Sequence, residues 1–115
     1  MTAISRIERG PRLSQGVVHG GRVYLAGQVA LGATVAEQTR AVLGQIDALL
    51  AKAGSGKDRL LTVQVLLAEA RDFDEMNSVY DPWIAEVEAP TRVTCEARLP
   101  DPRHKVEIVV TAACA

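Results

Sequence analysis

Two apolar stripes at helical spacing, each followed by a run of strand-forming residues, constrain this chain more than any other feature. The first stripe is bounded at both ends. Thr34 is placed to cap a helix, and Glu37 three residues later completes a capping box. Val35, Val42, Ile46, Leu49, Leu50 and Ala53 then recur at three- and four-residue intervals, and Gly54 suits the left-handed residue that ends a helix. The second stripe starts at Asp72, a candidate cap with Glu75 at the box position. Phe73, Met76, Tyr80 and Trp83 or Ile84 share its apolar face. Pro82 lacks a backbone donor and is expected to end or kink this helix near Asp81.

Strand signals surround the helices. A short strand around Ile4 to Ile7 precedes Val17-Val18-His19, the turn pair Gly20-Gly21 and Arg22-Val23-Tyr24-Leu25-Ala26, which together read as a hairpin. Leu60 to Leu67 reads as an inner strand, with Leu61, Val63, Val65 and Leu67 on one face. Thr91 to Leu99 alternates: Arg92, Thr94, Glu96 and Arg98 against Val93, Cys95, Ala97 and Leu99. Pro100-Asp101-Pro102 makes a turn, and Lys105 to Ala113 is the last strand, with Val106, Ile108, Val110 and Ala112 on one face. The order β-β-β-α-β-α-β-β predicts an α+β sandwich, one mixed sheet with two helices on one side. The crossover through the first helix is expected to be right-handed if its strands are parallel.

The 115 residues fit one domain, 48% of it apolar. With Tyr24, Phe73, Tyr80 and Trp83 as the only aromatics, the core must be aliphatic. So short a chain has little room for a private pocket, which makes a subunit interface a natural place for one. A net charge of −1 argues against a nucleic-acid partner, which calls for a basic face. No stretch has the ~18 apolar residues of a membrane span, and Met1 to Pro11 lacks the apolar region of a signal peptide. Cys95 and Cys114 are too few for a disulfide scaffold, so a soluble cytoplasmic domain with reduced thiols is expected.

Most chemical motifs are absent. Gly54-Ser55-Gly56-Lys57 resembles part of a phosphate-binding loop, but Ala51 stands where the first glycine belongs and Asp58 where Ser or Thr is needed. It reads as a helix C-cap and turn. His19 and His104 lie in or beside turns, far apart in sequence, and no metal site or hydrolase triad can be built on them. Cys95, on the apolar face of its strand, reads as a small core hydrophobe. The informative charges are Arg92, with Thr94 on the same face, and Glu107 inside the last strand. Two readings remain open. One is a solvated sheet face carrying cross-strand ion pairs. The other is an arginine that grips a carboxylate bidentately, near a glutamate that handles protons on a water. The latter suits hydrolysis of a small carboxylate-bearing substrate.

Five segments in order carry a resemblance. They are Gly10-Pro11-Arg12-Leu13-Ser14-Gln15; Val23-Tyr24-Leu25-Ala26-Gly27-Gln28-Val29; Asp72-Phe73 with Met76-Asn77-Ser78-Val79-Tyr80; Ala89 to Leu99 around Arg92; and Lys105-Val106-Glu107-Ile108. Together, from about Ser5 to Ala113, they resemble the RidA family, also called YjgF, of imine and enamine deaminases. The resemblance implies a chorismate-mutase-like fold, a six-stranded sheet with two helices on one side. It also implies a homotrimer with its sheets inward and a ligand cleft at each subunit interface. Active members of that family hydrolyse 2-imino acids to 2-oxo acids and ammonia with no metal or cofactor.

By the same resemblance Arg92 matches the carboxylate-binding arginine and Glu107 the glutamate that positions or activates water. Asn77 matches an asparagine near the cleft, and Gly27 a glycine whose N–H reaches the ligand. The pocket wall departs from the family pattern. Leu13 stands for the pocket tyrosine, with Arg12 inserted before it; Ala26 stands for a serine, and Thr94 for a cysteine, with Cys95 one place later on the opposite face. The stretch from Asn77 to Arg92 is slightly shorter than in familiar members. These departures mark a divergent subgroup. They also leave a second class open, a trimer that holds a small carboxylate metabolite at Arg92 without turning it over. Ribonuclease and translation-inhibitor roles, also described in the family, find no basic groove or stacking platform here. A chaperone-like role leaves no signature in the sequence.

Overall fold

The computed structural model describes residues 3–114; Met1, Thr2 and Ala115 lie outside the described residues. Strands β1 (Ser5–Arg9), β2 (Ser14–His19), β3 (Arg22–Leu25), β4 (Leu60–Leu67), β5 (Thr91–Glu96) and β6 (Val106–Ala113) form one sheet in the order β1-β2-β3-β6-β4-β5. Only β4 and β5 pair in parallel; the other neighbours are antiparallel. Helices α1 (Val35–Lys52) and α2 (Phe73–Ile84) pack against each other and cover one sheet face. This is the mixed six-stranded α+β architecture expected from the order of elements.

Local chemistry accounts for the best-defined turns. Gly20 and Gly21 take φ values of 60° and 79°, so the β2–β3 hairpin turns through a pair that only glycine adopts cheaply. Thr34 caps α1 by accepting from the Glu37 N–H at 3.1 Å. Glu37 reaches back to the N–H of Ala33, one residue before the cap. At the other end the Gly54 N–H donates to Ala51 and the Ser55 N–H to Leu50, with Gly54 at φ 72°. These are the paired bonds of a Schellman ending.

The core lies between the helices and the alternate residues of the central strands. Val106, Ile108, Val110 and Ala112 of β6 meet Val42, Ile46 and Leu50 of α1, all essentially buried. Aromatics contribute little to it: Tyr80 is buried, Trp83 packs at the margin and Phe73 is exposed.

Four local expectations are corrected or narrowed. Leu61 does not share the buried face of Val63, Val65 and Leu67. The register against β6 shifts between Leu60 and Thr62, so Leu60 is buried instead and Leu61 is exposed. Asp72 stands at the N-cap position of α2, but its side chain makes no capping bond, because it closes a 3₁₀ turn with its backbone already near-helical (φ −84°, ψ 5°). Glu75 instead accepts from the N–H of Ala36, tying α2 to the start of α1. Of the two outcomes expected of Pro82, an end or a kink near Asp81, the first does not occur. The helix continues to Ile84, and the Ala85 N–H bonds Asp81 at 3.0 Å.

The largest correction concerns β5. The strand ends at Glu96 rather than Leu99, where the Glu96 carboxylate accepts from the N–H of Ala70. Its faces are also the reverse of the amphipathic expectation. The parallel register sets Arg92 beside Val63 and Thr94 beside Val65, both core residues, so Arg92 and Thr94 take the helix side. Val93 is 61% exposed, and Cys95, expected in the core, is exposed on the uncovered face. β5 is an edge strand beside α2, and that helix supplies partners for an arginine rather than a closed apolar surface.

Candidate active site

Arg92 is held from α2. Its Nη1 donates to Asn77 Oδ1 at 2.8 Å, and its guanidinium lies over the rings of Tyr80 (4.8 Å) and Phe73 (5.7 Å). Phe73, Asn77 and Tyr80 fall at i, i+4 and i+7, so one face of α2 builds the whole cradle. Burial pushes the Tyr80 phenol above its ordinary value, while the charge of Arg92 pulls the other way. No carboxylate among the described residues lies in ion-pair range of Arg92, which leaves part of its five-donor guanidinium unused beyond Asn77 and Tyr80. A half-buried, stacked guanidinium with unused donors is chemically suited to a planar carboxylate. Thr94, two residues on and on the same face, has a buried hydroxyl with no partner.

Glu107 is positioned by the backbone. It stands on β6 between fully buried Val106 and Ile108, so it projects from the uncovered face of the sheet. Gln28 and Ile108 exchange both backbone hydrogen bonds, at 2.9 and 3.1 Å, and the Ala26 N–H bonds Gln15. Gly27 is thereby fixed against the Glu107 side chain. A Cβ at Gly27 would overlap the carboxylate and lie 2.8 Å from its carbon. The buried Gln28 amide donates to Gln15 Oε1 and to the Ala26 carbonyl, which locks this loop from behind. Leu13 is 52% exposed and follows a turn closed by the Gly10 N–H to its own carbonyl.

The chain thus assembles two clusters. Arg92, Asn77 and Thr94 come together on the helix side of β5; Gly27 and Glu107 come together on the opposite side at β6. The registers place Glu107 beside Leu66 and Arg92 beside Val63, two strands and three residues apart. Their Cα atoms are therefore separated by on the order of 14 Å, with the side chains on opposite faces. The cross-strand ion pair is ruled out by that placement. The sequence points to the aromatics of this helix, Phe73, Tyr80 and Trp83, as a pocket wall beside Asn77; the structure sets Phe73 and Tyr80 against Arg92 itself, a contact that helical spacing does not show. Sequence reading missed the Gln15–Gln28 amide pair, whose period-2 surroundings carry no sign of burial.

The chain matches the family model described as Endoribonuclease L-PSP over residues 3–114. A RutC family protein of Haemophilus influenzae is 46% identical over 114 residues, covering 96% of this chain and 98% of that protein. The chain belongs to the RidA/YjgF family. Another member, the RutC family protein YoaB of Escherichia coli, is 41% identical over 96% of this chain and 97% of its own length. A crystal structure of a YjgF-family protein from Neisseria meningitidis superposes with a TM-score of 0.95, at 41% identity over 98% of this chain and 96% of that one. The RidA/YjgF fold therefore extends over both clusters. No helix among the described residues is long and apolar enough to cross a membrane.

Proposed function

We propose that this protein hydrolyses small 2-imino acids to 2-oxo acids and ammonia, in clefts between the subunits of a cytoplasmic homotrimer. Arg92 of one subunit and Glu107 of its neighbour complete each site. The observation that carries this reading is the pair of separated clusters: a guanidinium without a carboxylate partner, and a carboxylate pressed on a glycine, on opposite faces of one sheet. Neither cluster suffices alone, and a rotational arrangement of identical subunits brings unlike faces together. Apolar Tyr24, Val93 and Val109 on the uncovered face give such an assembly a surface to bury.

In the proposed mechanism the substrate carboxylate pairs with Arg92, which Asn77 and Tyr80 hold in place, and the Gly27 N–H assists. The C=N carbon then lies beside a water held by Glu107. The water oxygen bonds to that carbon of the protonated imine as Glu107 takes its proton and the C=N π electrons move to nitrogen, giving a neutral carbinolamine. Glu107 returns the proton to the carbinolamine nitrogen. The C–N bond breaks as the hydroxyl proton passes back to Glu107 and the C=O forms; the departing ammonia takes that proton, leaving a 2-oxo acid, ammonium and the Glu107 carboxylate. A proton shuttle of this kind contributes ~10²–10⁴-fold. Thr94 offers the substrate a hydrogen bond, and Leu13 forms part of the wall.

The test couples an amino-acid oxidase or a threonine dehydratase to the protein and follows imine decay by semicarbazone trapping. Decay faster than buffer in the wild type, and lost in Arg92→Ala, is expected. Wild-type decay equal to buffer across several imino acids would leave only the binding of a carboxylate metabolite.

A further inference from the structure

Gln38 is fully buried on the second turn of α1, an unusual place for an amide. Its Nε2 donates to the carbonyls of Gly32 and Arg103, both at 3.0 Å, and its Oε1 accepts from the Lys105 N–H at 2.7 Å. Both amide hydrogens are thus used, each on a different loop. One loop follows Gly27 and the other leads into Glu107. Gly32 packs directly on this side chain: a Cβ there would lie 3.2 Å from Gln38 Cγ. The Lys105 carbonyl accepts in turn from the Ala68 N–H at 3.0 Å, so residue 105 is pinned on both sides before β6 begins. Arg92 and its cradle on α2 share none of these bonds.

We infer that Gln38 is a positioning residue for the water-handling half of the site: it fixes the 29–33 and 100–105 loops relative to each other and so sets Glu107 against Gly27. The inference rests on the deaminase reading for its effect on rate, but not for its effect on geometry. A residue holding only the general base leaves the carboxylate grip intact. Replacing it should therefore lower kcat and spare KM. The opposite pattern belongs to Arg92.

The test uses the full-length protein with Gln38→Met, which keeps the volume and removes all three bonds, and Gln38→Glu, which keeps the acceptor for Lys105. In Gln38→Met, kcat should fall ~10–100-fold with KM within about twofold, as expected for a misplaced catalytic group. Gln38→Glu should lose at least as much, because its second carboxylate oxygen faces the Gly32 and Arg103 carbonyls, to which Gln38 donates. In a Glu107→Gln background the Gln38→Met effect on kcat should vanish, because the two act as one unit. Amide hydrogen exchange, measured without substrate, should rise at least ~10-fold at Gln28 and Ile108 and stay unchanged at Val93 and Thr94. Unchanged exchange at Gln28 and Ile108 overturns the inference, as does an undiminished kcat or an equal loss in the Glu107→Gln background. If Gln38→Met does not fold, Gln38→Leu carries the same exchange and rate comparisons. Wild-type protein that turns over no imino acid, while exchange responds as stated, refutes the deaminase reading and leaves the positioning role standing.

Discussion

The two halves of the candidate site are built by different means. Arg92 is held by side chains: one hydrogen bond that it donates to the Asn77 amide oxygen and the faces of two rings, all from α2. Glu107 is held by backbone: β6 pairs with β4, Gln28 and Ile108 exchange hydrogen bonds, and Gly27 closes against the carboxylate. A side-chain cradle can be altered one residue at a time with small effect on folding. A backbone cradle cannot move without disturbing the sheet. The surroundings of Arg92 should therefore be easy to change in this protein, and the position of Glu107 hard to change.

The largest expected effect is on the backbone half. Glu107→Gln keeps the shape and removes the base, so kcat for imine hydrolysis should fall ~10²–10⁴-fold with little change in thermal midpoint. Loss of kcat below about fivefold would remove Glu107 from the chemistry. Next comes Arg92→Ala. A lost charge-assisted bidentate pair is worth ~2–3 kcal/mol, so kcat/KM should drop ~30–150-fold, mostly through KM, and Arg92→Lys should restore only part of it. Co-refolding these two inactive variants is the sharpest test of a shared site. In randomly mixed trimers about a quarter of the clefts regain both wild-type groups, so about a quarter of the activity should return; no recovery would put both groups in one subunit's site or in none.

Smaller effects separate the two cradles further. Gly27→Ala pushes on the flexible end of Glu107 rather than on the backbone. Activity should fall ~10-fold while unfolding in urea shifts by less than ~1 kcal/mol. Asn77→Ala removes one hydrogen bond to a charged group that keeps its ring contacts. KM should rise ~3–10-fold with kcat nearly unchanged, corresponding to about 1 kcal/mol; a larger change in kcat than in KM would tie α2 to the chemical step.

Much of this architecture was legible along the chain because its signals are local. Thr34, Glu37 and Gly54 bound α1 by the chemistry of helix ends, and Gly20-Gly21 turns the hairpin because both residues need positive φ. The alternation of β6 was read correctly for the same reason: it is a central strand with one face in the core. The failures share a cause too. Leu61 was misplaced by a bulge, which slips the two-residue period without any local sign. β5 was turned inside out because alternation says which residues share a face but not which face meets the helices. Val93 and Cys95 look like core residues, yet Arg92 takes the covered side.

Order of elements, the caps of α1 and the hairpin turn were thus determined by the sequence itself, since each depends on neighbours within a few positions. The tertiary structure alone decided that Arg92 enters a cradle on α2, that Glu107 points from the other face against Gly27, and that a buried Gln38 ties together the loops beside it. Apart from the Gln38–Gly32 bond, those contacts join residues 12 to 80 positions apart. They follow from the register of paired strands and from which face the helices cover, and neither is written in any single stretch of chain.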